Sequence, residues 1–419
     1  MDSHVGIVEP GFRLLRNGRS GSIRSVNSSA EHATDEQIKM SVEQILRDAW
    51  GVAVVVGERQ TLREDKCFRF LLHETSHGLP DSVIVKKARR EAGNLIDPDS
   101  EIPNPSHRLL DEWASLAFLG QIDPSGRLAP MLYGGNRSAC LIAYEDWGPA
   151  GSLSDTLMGD DPEAARRALR LHAKATAHLH NTTASREQEY KGIRDSLGPR
   201  VAAREGQGWG SLEALQQELV TGFSVAGISP EPDFWAEFDV LKHAISHNGP
   251  FRAFVHNDSC PDNTWLGKDA LRLLDFERSG YHHRLLDAVF ARMSMPHCYL
   301  ANAVPHEVVL EVEGAYRKAA GTACPALADN RLFGQEIVHA CFYWVVSNGT
   351  WLLERCFQDD FTWGISTWRQ RVLHRLDVLA FTCDEFAYMP AVGKSARRTT
   401  QRLREVWPTS AMPVFPAFH

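Results

Sequence analysis

The sequence predicts an α+β protein in which strands and helices are segregated along the chain. Short β-branched runs cluster between residues 52 and 144. Beyond residue 149 the apolar residues recur mainly at helical spacing, interrupted by one compact strand–loop–strand unit at 251–276. A strictly alternating order would instead read as a parallel βαβ array.

Each element has its own signal. Residues 1–35 are rich in Ser, Gly, Asn and Arg without a period, which predicts a mobile tail. Ile38, Val42, Ile45 and Leu46 recur at helical spacing over 34–48. Strands are predicted at 52–56, 67–72 and 83–85, separated by polar, Gly- or Pro-containing turns. A loop with Pro98, Pro103 and Pro105 leads into a helix over 106–120, with Ser106 as its N-cap. Two more strands fit 130–133 and 139–144, making five, and Glu145-Asp146-Trp147-Gly148-Pro149 then breaks regular structure. Helices are expected at 162–182, 213–221 and 232–246, then at 285–293, 306–319, 331–354 and 365–386, with a short terminal helix and tail after them.

Composition bounds the function. Of 419 residues, 43% are hydrophobic and 23% charged, enough to bury a large core, so wholesale disorder and fibrous classes are excluded. A net charge of −8 argues against a nucleic-acid coat. The eight cysteines are scattered through apolar stretches with no C-x-x-C pair, which predicts reduced thiols and neither a disulfide frame nor a zinc site. The longest apolar runs, at 52–56 and 337–346, fall short of the roughly 20 residues a membrane span needs. No apolar run of signal-peptide length follows Met1, so a cytoplasmic protein without membrane or nucleic-acid partners is expected. The oligomeric state is left open.

The chemistry concentrates in His256-Asn-Asp-Ser-Cys-Pro-Asp-Asn263 and in Leu273-Leu-Asp-Phe-Glu277. An apolar strand delivers His256, Asp258 and Asn263; a second delivers Asp275 twelve residues later. Asp and Asn are ordinary turn formers singly, but the ordered set puts hard oxygen donors on adjacent strand ends. Magnesium takes such donors together with phosphates, and phosphoryl transfer needs a carboxylate to orient or deprotonate the attacking hydroxyl. Asp258 suits the base; Asn263 and Asp275 suit the metal. Lys86 ends a β-branched strand, where an ammonium can meet nucleotide phosphates, and it continues the strand alternation where Lys87 does not. Glu112, on the next helix, can pair with that lysine.

These segments resemble the aminoglycoside phosphotransferase and choline kinase superfamily of small-molecule kinases. His256, Asp258 and Asn263 fit its H-x-D-x-x-x-x-N loop, Asp275 its metal-binding Asp, Lys86 and Glu112 its ion pair, and Tyr144–Gly148 its hinge. The run Asp275-Phe-Glu-Arg-Ser-Gly-Tyr-His-His-Arg-Leu-Leu-Asp287 is similar to that of choline and ethanolamine kinases. The resemblance implies a bilobal, protein-kinase-like fold, with ATP and Mg²⁺ as cofactors and the adenine taken by the hinge at Glu145 and Trp147. It implies a tail at 1–35, an N-terminal nucleotide-binding lobe at 36–147, a catalytic and acceptor lobe at 148–392 and a tail at 393–419. His256, Glu277 and Asp287 support the motif, Asp287 by tying the catalytic loop down. The segment Gly57–Arg63, read as a loop over the nucleotide, has one glycine and departs from the protein-kinase pattern.

Other features weigh less. His172, His178 and His180 invite a metal reading, but His172 and His178 are six apart, off the i, i+4 spacing of zinc sites, and His282-His283 are read as partly exposed. The cluster Gly206–Gly210 follows a helical region, so it is read as a loop. Aromatics and acids alternate from Tyr343 through Trp344, Trp351 and Glu354 to Asp359, Asp360, Trp363 and Trp368. Trp344, Asp359, Asp360 and Trp363 are therefore candidate acceptor contacts, able to take an ammonium by cation–π and charge attraction; a Trp-rich core is the other reading. The expected activity is ATP-dependent O-phosphorylation of a small molecule carrying an amine. The alternatives are a neutral sugar or nucleoside acceptor and a nucleotide-binding pseudokinase; a protein kinase ranks lower because no A-P-E segment follows Asp275.

Overall fold

The computed structural model describes residues 35–63, 66–73, 78–89, 96–201, 212–247, 249–296 and 298–419. The expected tail at 1–34 and the cluster at 206–210 lie outside them. The described residues form two compact units: those up to Leu109 with Tyr133–Asp146, and Leu110–Leu132 with Trp147–His419. The fold is α+β.

In the first unit α1 (Asp35–Trp50) buries Ile38, Val42, Ile45 and Leu46, the stripe its spacing sets. Strands β1 (Val55–Arg63), β2 (Cys67–His73) and β3 (Ser82–Lys87) form antiparallel neighbours. Helix α2 (Pro105–Ile122) precedes β4 (Leu132–Asn136) and β5 (Leu141–Glu145). The five-stranded sheet has the order β1-β2-β3-β5-β4. Alternation in β2 buries Phe68, Phe70 and Leu72 against α1, with Val83 and Val85 from β3. Residues 57–63, expected as a loop, continue β1 and pair with β2 through Thr61 and Phe68. The β-branched and long side chains there extend the strand past its single glycine.

Asn104, not Ser106, caps α2. Its Oδ1 accepts from the Ser106 backbone N–H at 3.0 Å, and its own N–H donates to His107 Nδ1 at 3.2 Å. Asn and Ser are comparable caps, and Asn104 is the one that immediately precedes the first helical residue, Pro105. From Leu110 onward α2 groups with the second unit, so the expected 36–147 lobe is not one contact unit. Phe118 explains this: its ring packs 5.6 Å from Tyr190 and 5.3 Å from Phe254.

The second unit is mainly helical. It contains α3 (Leu153–Leu157), α4 (Pro162–Thr183), α5 (Glu187–Ser196), α6 (Leu212–Ala226) and α7 (Phe234–Ser246). Asp161 caps α4, accepting from Glu163 and Ala164, and Pro162 occupies the first helical position, where a missing N–H costs nothing. Four short strands follow: β6 (Arg252–Val255), β7 (Thr264–Leu266), β8 (Leu271–Leu273) and β9 (Gly280–His283). They pair as β6 with β9 and β7 with β8. Then come α8 (Leu285–Ala288), α9 (His306–Ala320) and α10 (Asn330–Gln358). The two-residue strands β10 (Thr362–Trp363) and β11 (Ser366–Thr367) precede α11 (Trp368–Glu385) and α12 (Pro390–Val406).

Three expectations change here. The helix expected at 285–293 is one turn, α8, and Ser294 and Met295 adopt positive φ soon after it. The region 393–419 is not a tail: α12 buries Val392, Ala396, Thr399 and Leu403, and the segment beyond it bonds Ala303 through Pro413 O and Phe415 N–H. His282 and His283 lie on β9 and are buried. Among the described residues no helix is long and apolar enough to cross a membrane.

Candidate active site

The site is built where β6 ends. Phe251, Ala253, Phe254 and Val255 are buried, so the strand is fixed and delivers His256 into the interior. His256 Nε2 donates to Leu274 O at 2.8 Å, while its Nδ1 accepts from the Asp258 N–H at 3.3 Å. One imidazole thus ties the first motif to the second.

Asp287, at the end of the second motif, holds the loop from below. Its two carboxylate oxygens accept the backbone N–H groups of His256 at 2.7 Å and Asn257 at 2.9 Å. His180 on α4 donates from Nε2 to the same carboxylate at 3.1 Å and accepts at Nδ1 from the Tyr316 hydroxyl at 2.8 Å. Burial keeps His180 neutral by pushing its pKa down, and the hydrogen bonds from His180 and the loop keep Asp287 ionised. His172, Thr176 and His180 form one buried stripe at i, i+4 and i+8 on α4.

Asn257 and Asp275 both adopt left-handed backbone, at φ +60° and +62°. Asn and Asp tolerate this region better than other non-glycine residues, at some cost that surrounding bonds must offset. The loop supplies those bonds: Cys260 N–H to Asp258 O at 2.7 Å, Asn263 N–H to Cys260 O at 2.8 Å, and Asn263 Nδ2 to Asp258 O at 3.0 Å. The Leu274 N–H donates to Asn263 O at 2.9 Å, joining the loop to the strand end that carries Asp275.

Asp258 lies 3.4 Å from Arg278 Nε through its Oδ2. Desolvation raises its pKa to about 6, with Asp275 and Glu277 adding repulsion and Arg278 opposing them. Asp275, Glu277 and Glu112 can each bring a carboxylate oxygen within 4.8 Å of the others. The donor set, all hard oxygens, fits a divalent cation such as Mg²⁺.

The loop also holds a bond the cysteine spacing hid. Cys260 and Cys298 form a disulfide, with Cα atoms 5.2 Å apart. The expectation of eight reduced thiols is therefore corrected to six. The partners lie 38 residues apart in sequence, and only the return of the chain after α8 brings them together.

A sequence model of the phosphotransferase enzyme family matches residues 82–326. The chain belongs to that family. The protein is thus a phosphotransferase of the class that acts on small-molecule hydroxyls. A search of curated protein sequences found no match. Among solved structures, a macrolide 2'-phosphotransferase from Brachybacterium faecium is similar at 12% identity, covering 75% of this chain and 96% of its own, with a TM-score of 0.38. The choline kinase LicA from Streptococcus pneumoniae is similar at 13% identity, with coverage of 81% and 99% and a TM-score of 0.38. A Plasmodium vivax ethanolamine kinase is similar at 11%, with coverage of 84% and 89% and a TM-score of 0.44.

The remaining candidates of the phosphotransferase fall in several places. Lys86 is buried on β3 opposite Ile142, in the first unit, and Glu112 belongs to the second. Glu145 ends β5, and Asp146 anchors it by accepting from Ser82 Oγ at 2.7 Å and from Arg69. Trp147 packs edge-on against Trp265, and the Arg272 guanidinium lies over both rings at 4.7 and 5.2 Å.

The four acceptor candidates do not form one site. Trp344 is a core residue, 1% exposed, whose indole N–H donates to Leu286 O at 2.8 Å. Asp359 follows the end of α10, about 20 Å further along the helix at 1.5 Å per residue. Asp360 accepts the Arg369 N–H in the first turn of α11 at 3.1 Å, and Trp363 already receives the Arg371 guanidinium at 4.8 Å. Trp351 and Glu354 have side chains outside the described residues.

Sequence reasoning missed His180, Arg278 and the disulfide. Arg278 was legible as the residue after Glu277 in the second motif. His180 carried no signal beyond its place on a helical stripe.

Proposed function

We propose that this phosphotransferase moves the terminal phosphoryl group of ATP to a hydroxyl of a small, amine-bearing molecule, with Asp258 as the group that orients and deprotonates that hydroxyl. The single observation that carries this reading is the fixed Asp258 beside the Glu112–Asp275–Glu277 carboxylates. A carboxylate raised to about 6 can accept a proton near neutrality and still be ionised at pH 7. Asn263 and Asp275, with Glu277 beside them, would hold Mg²⁺; bound there, the ion supplies charge neutralisation for the nucleotide phosphates. On the sequence pattern, Lys86 contributes its ammonium to those phosphates, Glu112 orients it, and Glu145 and Trp147 offer the hinge backbone to adenine.

The chain's own residues then do three things. His256 and Asp287 fix the loop so that Asp258 needs no reorganisation. Arg278 holds one Asp258 oxygen and leaves the other for the acceptor hydroxyl. Asn263 fixes the loop's far end through its amide. An amine on the acceptor is supported by the Asp275 and Glu277 carboxylates that act on Asp258, with the Arg278 guanidinium opposing them.

A neutral sugar or nucleoside acceptor is the second reading, favoured by one observation: Trp344 is core and Trp363 is occupied by Arg371, so the expected aromatic cation site is not assembled. A panel of aminoglycosides, amino alcohols, sugars and nucleosides, read as phosphorylated product by mass spectrometry, separates the two. Product from amine-bearing acceptors supports the first. Product from neutral acceptors alone supports the second and leaves the phosphotransferase assignment standing.

A further inference from the structure

The second unit holds an apolar cavity of about 60 Å³ between α6, α7, α10, α11 and α12. Its walls include Leu219, Phe223, Phe234, Phe342, Val372 and Val392. None of them belongs to the His256–Asn263 loop or to the carboxylate cluster. One charged side chain joins this apolar lining: Arg375, 3% exposed.

A guanidinium has five N–H donors and no means of losing its charge cheaply. Arg375 Nη2 donates to Pro296 O at 2.8 Å, and its Nε–H is buried without a hydrogen-bond partner. Among the described residues no carboxylate pairs with it. One turn earlier Arg371 is also buried and donates to Ser366 Oγ and to the carbonyls of Cys298 and Tyr299, again without a carboxylate. Burial pushes Arg375 down to about 10 and Arg371 to about 9, the latter with repulsion from Arg375. His374 between them is neutral and bonded to Ser294 Oγ at 2.7 Å.

Arg371 offsets its burial with hydrogen bonds and the Trp363 ring, whereas Arg375 keeps a buried, unpartnered Nε–H, which is costly unless an anion accompanies it. A water molecule occupies roughly 10–15 Å³ by the same measure, so the cavity has room for a few heavy atoms and not for a long chain. A planar carboxylate matches the fork of a guanidinium, and an apolar body matches the walls. We propose that this cavity binds a small carboxylate with a short alkyl body, anchored by Arg375. The site lies close to the catalytic loop in covalent terms: Arg375 holds Pro296, two residues before Cys298, which is bonded to Cys260.

The test uses the full chain with butyrate as probe and butyramide as its neutral isostere, titrated by calorimetry through the millimolar range. Butyrate is expected to bind one to one and at least tenfold more tightly than butyramide. Arg375→Leu should weaken butyrate tenfold or more and leave butyramide and Mg·ATP binding unchanged, while Arg375→Lys should retain part of the preference. Ala396→Leu, which fills the cavity and keeps the arginine, should abolish binding of both probes. Equal affinity for butyrate and butyramide, no butyrate binding, or butyrate binding unaffected by either Arg375→Leu or Ala396→Leu would each overturn the proposal. If Arg375→Leu fails to fold, the butyrate-to-butyramide ratio on the unaltered protein and the Ala396→Leu titration still decide it.

Discussion

At the residue scale Asp258 is set by backbone it does not control. His256, Asn257 and Asp287 fix where its side chain emerges, and Arg278 fixes how it is turned. Because desolvation raises its pKa to about 6, kcat/KM should fall as pH drops through about 6 and level off above it. An Asp258→Asn variant should lose rate by roughly 10²–10⁴ and lose this inflection as well. A rate profile flat from pH 5 to 8 in the unaltered enzyme contradicts the base assignment. His180 is a positioning residue for the same loop. Replacing it with Leu removes a hydrogen bond to a buried carboxylate, a loss of about 1.5–3 kcal/mol. Chemical denaturation should show that loss, and kcat should fall while Mg·ATP affinity stays near its original value. A stability loss without a change in kcat assigns His180 to the core alone.

At the element scale the catalytic loop is closed twice, by hydrogen bonds and by Cys260–Cys298. Thiol titration of the denatured, unreduced protein should count six free thiols and not eight. Replacing Cys260 with Ser opens a loop of 38 residues' separation, which the chain-entropy model values at roughly 4 kcal/mol. Its thermal midpoint should drop, and reductant should lower the unaltered protein toward the same midpoint. Elements were legible where a local pattern decides them. The α1 stripe and the β2 alternation follow from spacing, whereas β3 is buried continuously from Val83 to Lys86 and does not alternate. The His256–Asn263 loop was legible because its chemistry demands an ordered set. What the sequence hid depends on distant partners. The disulfide needs the chain's return after α8, and the burial of Trp344 needs Leu286 and Phe290 against α10. Ser106 lost the cap to Asn104 because both are good caps two residues apart. The true extent of α12 was hidden because its buried face is small and polar: Gly393, Ser395, Ala396, Thr399 and Thr400.

At the scale of the whole molecule, buried neutral histidines govern the acid response. His172 and His282 are pushed down to about 4 by burial, and His180 and His283 are shifted the same way. In the unfolded chain they titrate near 6.5. Below that pH the unfolded state takes up protons that the folded state refuses. Stability is therefore present above 6.5 and lost as pH falls toward about 4, by up to about 1.4 kcal/mol per pH unit for each such group. Glu336, held near 2 by His283 and His339 against its own desolvation, adds a loss in the same direction below 4.5. Asp258 acts oppositely, since its raised pKa favours the folded state on acidification, but it is one group against several. Urea midpoints should fall steadily from pH 7 to pH 5, and constant midpoints contradict the buried-neutral assignment.

The central claim is that the His256–Asn263 loop transfers phosphate with Asp258 at its head. Its most direct test is phosphoryl transfer from ATP to a panel of small-molecule hydroxyls, followed by mass spectrometry of the product, in parallel for the unaltered enzyme and Asp258→Ala. The account predicts a phosphorylated acceptor from the former and at most about a hundredth of that rate from the latter, with Mg·ATP binding retained in both. Equal product formation by the two proteins, or nucleotide binding without phosphorylation of any acceptor, would contradict it.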